Sequence, residues 1–133
     1  MSAMLLLLAS LPAVAEPVLV VNPSVPVNDL KRNEARLIFS LRRSQWKDGS
    51  PIRVHVLDDQ NPLHVRFCRE VLRLYPRQLR RAWDRQTFSG TGQAPNVVES
   101  IEAMRETIAR EPGAVGYLPR ELVDGSVKIL EVH

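Results

Sequence analysis

Four groups that bind metals or carry protons lie within ten residues: His55, Asp58, Asp59 and His64. Imidazole and carboxylate are good metal ligands, but this spacing matches no standard ligand motif. His55 falls in an alternating run, so its side chain need not face the aspartates. The competing reading is a surface histidine beside a capped helix entrance, and no metal is expected. A second candidate is Thr87–Pro95, which reads TFSGTGQAP. Ser89, Gly90, Thr91 and Gly92 are residues of the kind that wrap a phosphate in backbone N–H groups. The alternative is a connector in which Gly, Ser and Pro serve only the turn. No lysine follows the glycines, so the pattern is weak as a phosphate loop. No Ser–His–Asp, Cys–His or paired-carboxylate arrangement can be drawn from the sequence. The chain does not read as an enzyme, and no cofactor is implied.

The third feature is basic. Arg66, Arg69, Arg73, Arg77, Arg80, Arg81 and Arg85 run through two helix-like segments. Residues three or four apart share a helix face, so several of these arginines share one outer surface. Such a surface is either simply solvated or offered to an anionic partner: lipid head groups, lipopolysaccharide or an acidic protein patch. Arg69, Arg73, Arg77, Arg80 and Arg81 are the candidate partner surface. Aromatic residues make up only 5% of the chain, too few for the stacking that single-stranded nucleic acid requires.

These residues must be positioned by short elements. Val18–Val21 is a continuous apolar run and reads as a buried strand, closed by Asn22-Pro23. A short helix is expected over Arg32–Ser40, a turn at Trp46–Gly49, and an alternating strand over Ile52–Leu57. Asn61-Pro62 is a helix start, with Asn as cap and Pro in the first turn. Val65, Cys68, Val71 and Leu72 then supply its inner face. Tyr75-Pro76 restarts a helix carrying Leu79, Trp83 and Phe88. Ser100 caps a third segment with Ile101, Met104 and Ile108 at helical spacing, and Pro112-Gly113 stops it. Ala114–Leu118 and Val127–Val132 read as further strands. Alternation of strands and helices gives an α/β class with a mixed or mostly parallel sheet.

The 133 residues suit one small domain, and the net charge is +3. The start, MSAMLLLLASLPAVA, has an apolar run followed by Ala13-Val14-Ala15, a small-x-small pattern. It reads as a signal peptide over residues 1–15, without the usual basic residue before the apolar run. The alternative is a buried N-terminal strand or helix. Cleavage would leave one domain over 16–133, exported to an oxidising compartment, the periplasm. Cys68 is the one cysteine, so no internal disulfide can form, and it reads as a small buried hydrophobe. Export also argues against nucleic acid.

Three stretches carry a resemblance. VVNPSVPVNDLKRNEARLIFSLRRSQWKDG resembles the part of periplasmic phosphate-binding proteins where a strand leads to a helix ending in Ile-Phe and then a Trp-containing turn. IRVHVLDDQNPLHVRFCREVL resembles their next strand and helix. EPGAVGYLP is similar to their Pro-Gly-Ala-Ile-Gly-Tyr segment and is the most specific of the three. The resemblance implies a single lobe of a type 2 periplasmic-binding fold, a mixed sheet flanked by helices. It implies a solute-binding component of phosphate ABC transport and a small anion such as phosphate as ligand. It also implies a membrane transporter or sensor protein as partner. In that family the strand matching Ile52–Leu57 ends in Arg, followed by Asp-Gly-Ser-Gly-Thr at a helix start. Here Leu57 takes the Arg position, Asp59 matches the Asp, and Gln60-Asn61-Pro62-Leu63 replaces Gly-Ser-Gly-Thr. A counter-charge, a hydroxyl and a backbone donor are lost, and Asp58 adds a negative charge. Two unit charges ~5 Å apart repel by roughly 3 kcal/mol at an effective dielectric of ~20. Ligands of open α/β sheets bind at the carboxyl ends of strands. Asn22 and Ser24, Asp59 and Asn61, and Ser89–Gly92 are therefore expected to gather at one edge as a ligand or partner surface. Two alternatives stand beside anion binding: an interaction module using the arginine face, and a homodimer in which two lobes rebuild a cleft.

Overall fold

The structure is a computed structural model describing residues 16–90 and 94–133. The segment read as a signal peptide, and Thr91 and Gly92 of the glycine loop, lie outside the described residues. Six strands form one mixed sheet in the order β2-β6-β1-β5-β3-β4. β1 (Pro17–Val21) is buried along its whole length, as its unbroken apolar run predicts. It lies between β5 (Ala114–Pro119) and β6 (Lys128–Val132), antiparallel to both. β3 (Arg53–Val56) runs parallel to β5, and two short strands, β2 (Asp29–Leu30) and β4 (Asn96–Val97), extend the sheet in parallel at its two edges. The short edge strands have no apolar periodicity to announce them.

α1 (Arg32–Phe39) buries Ala35, Ile38 and Phe39. The Trp46 turn closes as expected, and its indole donates to the Gly113 carbonyl at 3.0 Å, joining that turn to the start of β5. Asn61 caps α2 (Pro62–Arg66), its side chain accepting from Leu63 N–H at 2.9 Å. α2 then widens into a π-helical segment, Phe67–Leu72. The wider turn rotates the inner face relative to a regular helix. Leu63, His64, Phe67, Cys68 and Leu72 are buried; Val71, expected inside, is turned to half-burial by this segment, and Val65, in the regular turn before it, is also only half-buried. α3 (Pro76–Phe88) packs with Leu79 and Trp83, whose indole donates to the Phe39 carbonyl at 2.7 Å. Phe88, expected on that face, is the last residue of the helix and is 93% exposed. α4 (Ile101–Arg110) is capped by Ser100 and buries Met104 and Ile108 against β5.

The segment Gly113–Leu118 is the tightest part of the fold. Gly113 has φ +77°, and a Cβ there would sit 2.3 Å from the Pro51 carbonyl oxygen. Gly116 lets α4 approach, since a Cβ would meet Met104 Sδ at 2.6 Å. Gly113 is therefore required by its approach to backbone and by its left-handed conformation, while a side chain at Gly116 would have to displace the ends of Met104 and Ile108.

Candidate functional site

The turn after β3 is the place where the residues of greatest chemical interest meet. Tyr117, fully buried on β5, holds it from below: its hydroxyl accepts from Leu57 N–H at 2.8 Å and lies 2.5 Å from His64 Nδ1. The phenol and Nδ1 share one hydrogen bond, and the tautomer of neutral His64 in which the phenol donates carries its proton on Nε2. Nε2 faces Cys68 Sγ at 3.5 Å and Asp59 Oδ1 at 4.0 Å. Phe67 stacks on the Tyr117 ring at 4.2 Å, so the network sits in an apolar sleeve. Burial lowers the His64 pKa despite the nearby Asp59, and it raises that of Tyr117. Burial, then the Asp59 charge, pushes the Cys68 thiol up to about 12. Cys68 is thus a packed hydrophobe rather than a nucleophile.

Above this network the turn satisfies itself. Asp58 Oδ1 accepts from Gln60 N–H and Asn61 Oδ1 from Leu63 N–H, both at 2.9 Å. Asp59 receives Arg80 of α3 in a bidentate pair, both contacts at 2.9 Å. The carboxylate of Asp59 raises the pKa of Arg80, whose guanidinium also lies 5.0 Å from the Trp83 ring centroid. Leu57, at the position where the resemblance has Arg, is 1% exposed and belongs to the core. The donors that an anion would use already hold the turn's own oxygens.

The expected gathering of three loops at one edge does not occur. β1 is antiparallel to β5 and β3 is parallel to it, so β1 ends where β3 begins. Asn22 and Ser24 therefore sit at the opposite end of the sheet from Asp59 and Asn61. Asn22 donates to the carbonyls of Ile108 and Ala109, closing the C-terminus of α4, and accepts from Ser24 N–H. Ser24 Oγ accepts from Gly113 N–H. Their polar groups hold β1, α4 and the glycine segment together. Ser89 and Gly90 end α3 nine residues beyond Arg80, about 14 Å along the helix axis. Ser89 there borders a depression with Arg42, Arg85 and Gln86.

His55 is the other correction. It is not a surface residue but is 3% exposed, and it faces away from Asp58 and His64. Asn96 Nδ2 donates to its Nδ1 at 2.8 Å, and Nε2 lies 3.4 Å from Glu111 Oε1, an ion-pair distance without hydrogen-bond geometry. Burial lowers its pKa against the opposing pull of Glu111. A groove of about 550 Å³ passes this pair, bordered by Arg43, Arg53 and Asn96. The two histidines thus serve separate sites. Among the described residues no three His, Cys, Asp or Glu side chains lie together as a metal requires.

Of the arginines, Arg69, Arg73, Arg77, Arg80 and Arg81 are all exposed. Arg80 is engaged by Asp59, and Arg66 pairs with Glu70 at 3.0 Å. The order in which strand, capped turn, arginine-rich helices and Pro-Gly segment follow one another now has a three-dimensional counterpart.

The same fold is present in solved phosphate-transport receptors. An ABC-type phosphate transport receptor from Vibrio cholerae superposes with TM-score 0.66 at 21% identity, over 89% of this chain and 46% of that one. PstS from Borrelia burgdorferi gives 0.66 at 12% identity, over 90% and 47%. A Clostridium perfringens structure assigned as a phosphate ABC transporter substrate-binding protein, with bound phosphate, gives 0.67 at 18% identity, over 89% and 45%. The chain spans less than half the length of each. No protein-family model and no curated protein matches the sequence.

Proposed function

Taking one lobe of a phosphate-transport-receptor fold as the premise, we propose that this chain is an exported, non-enzymatic, solute-binding-like protein of the periplasm. It is related to the substrate-binding components of phosphate ABC transport, and its anion turn is degenerate. The observation that carries this reading is the self-satisfied turn at Leu57–Leu63, where Asp59 occupies Arg80 as a bound anion would. Arg–carboxylate and Arg–phosphate pairs share the same bidentate geometry. Both side chains are partly exposed, so the pair is worth no more than about 1 kcal/mol. That is enough to compete with a weak anion but not with a designed site.

Calorimetric titration with phosphate and with sulfate at low salt tests it. The wild type is expected to give no saturable heat with either anion. Asp59→Ser, which frees Arg80 from its carboxylate, is expected to gain weak, millimolar phosphate binding. Micromolar phosphate binding by the wild type would overturn the reading of the turn and send the search to Ser89–Gly92. Leu57→Arg is a poorer test, since it places a charge at a buried position.

A second reading is favoured by the exposed arginines: an accessory module that meets a transporter, a sensor or another copy of itself through that face. Sedimentation equilibrium separates the homodimer from the monomer directly.

A further inference from the structure

The charge of this chain is segregated. Residues 66–85 hold seven arginines against Glu70 and Asp84, a net +5 in a chain of net +3, so the remainder carries a net −2. Internal ion pairs engage Arg66 and Arg80. Among the described residues no carboxylate pairs with Arg69, Arg73 or Arg77. Two of them flank one aromatic residue. Tyr75 is 52% exposed, with the Arg69 guanidinium 5.8 Å and the Arg77 guanidinium 5.0 Å from its ring centroid. Arg73 ends the π-helical segment in a left-handed conformation, φ 55°, where glycine is the unstrained choice. α1 adds two more cations: Arg32 donates to the Val71 carbonyl at 3.2 Å, and Arg36 to those of Leu72 and Arg73 at 2.7 and 3.4 Å. Next to them lies an open depression bordered by Leu37, Leu74, Arg36 and Arg42.

From this arrangement we infer that the Arg69–Tyr75–Arg77 face docks on a bilayer rich in anionic phospholipid. This deepens the arginine-face reading above and rests on it. Three exposed guanidiniums from the π-helical segment and α3, two of them on a tyrosine ring and with Arg32 and Arg36 of α1 beside them, match a sheet of phosphates. The tyrosine supplies the amphipathic ring that favours the headgroup level, and the leucine-lined depression supplies apolar contact beside it. No helix among the described residues is long and apolar enough to cross a membrane, so the contact is peripheral.

The test is co-sedimentation of the full chain with vesicles of phosphatidylcholine alone and of phosphatidylcholine with phosphatidylglycerol. Any apolar contribution from residues 1–15 is common to both lipids and to every variant, so the reading is the excess on anionic vesicles. A strong excess that falls between 0.05 and 0.5 M salt is expected, because screening shortens the reach of each charge. Each basic residue near an anionic surface changes partitioning about fivefold. The triple variant Arg69→Gln, Arg73→Gln, Arg77→Gln should therefore lose on the order of 100-fold. A control triple with the same charge change elsewhere, Arg53→Gln, Arg105→Gln, Arg110→Gln, should keep the excess. Circular dichroism establishes that each variant is folded. No excess on anionic vesicles overturns the proposal, as does equal loss in the two triples. Retention of the protein by soluble poly-glutamate but not by anionic vesicles also overturns it, in favour of an acidic protein partner. Phosphate titration reads the Leu57–Leu63 turn separately, so failure here leaves that reading intact.

Discussion

Tyr117→Phe removes one oxygen from the core and leaves two buried groups without partners. The Leu57 N–H loses its acceptor at 2.8 Å, and His64 Nδ1 loses its partner. Tyr117 and His64 are both fully buried, so water does not replace the hydroxyl without a cavity to hold it. An orphaned buried polar group costs about 1–3 kcal/mol, so the pair implies a loss of about 3 kcal/mol, a large share of a small domain's stability. With a urea m-value of about 1.5 kcal/mol/M, the midpoint should fall by about 2 M at unchanged m. Adding His64→Leu removes one of the two orphans. The double variant should therefore be more stable than the two single losses summed, by about 1 kcal/mol or more. Urea denaturation followed by tryptophan fluorescence reads both, since Trp83 lies 6.3 Å from the His64 ring. If Tyr117→Phe moves the midpoint by less than about 0.3 M, the phenol is a packing group only. The account of how the turn is held would then be wrong.

Other outcomes follow from the same contacts. His55 and His64 have pKa values held below the ordinary 6.5, chiefly by burial. The unfolded chain therefore binds protons below pH 6.5 that the folded chain refuses. Stability present above pH 6.5 should fall as the pH drops, by up to about 1.4 kcal/mol per pH unit for each histidine, and level off below the folded pKa values. Urea midpoints between pH 7.5 and 4.5 check this, and His64→Leu should remove part of the slope. Gly113→Ala drives a Cβ to 2.3 Å from the Pro51 oxygen at a φ of +77°, and should cost at least about 3 kcal/mol or prevent folding, read by thermal melts. Cys68, buried and with its thiol pushed up to about 12, should not react with a thiol-disulfide reagent in the native state and should react fully in denaturant.

Much of this fold is legible in local patterns. The apolar run of β1, the Asn61-Pro62 cap, the Ser100 cap and the Pro-Gly stop before β5 each act through their own few residues, and each is found where the sequence places it. The edge strands β2 and β4 have two residues each, and only pairing with β6 and β3 makes them strands. The π-helical turn has no composition signal either, so the inner face beyond Cys68 is shifted from the regular spacing. The site was legible in its residue types but not in its geometry. Which ends of β1 and β3 coincide depends on β1 running antiparallel to β5, a tertiary fact that sent Asn22 and Ser24 to the far end. The burial of His55 depends on β4 and α4 covering β3. Arg80 reaching Asp59 across 21 residues is likewise beyond any local window.

The central strand pairs with the far end of the chain: Val18 lies opposite Leu118, and Leu19 opposite Leu130. Closing loops of about a hundred residues is slow, because the entropy of closure is lost before the pairing is gained. Until β5 and β6 have been synthesised, Val18–Val21 is an uncharged, β-branched segment with two open edges. It is then competent to pair with another chain. Pairing of this kind forms late, and until it does the strand stays open to other chains.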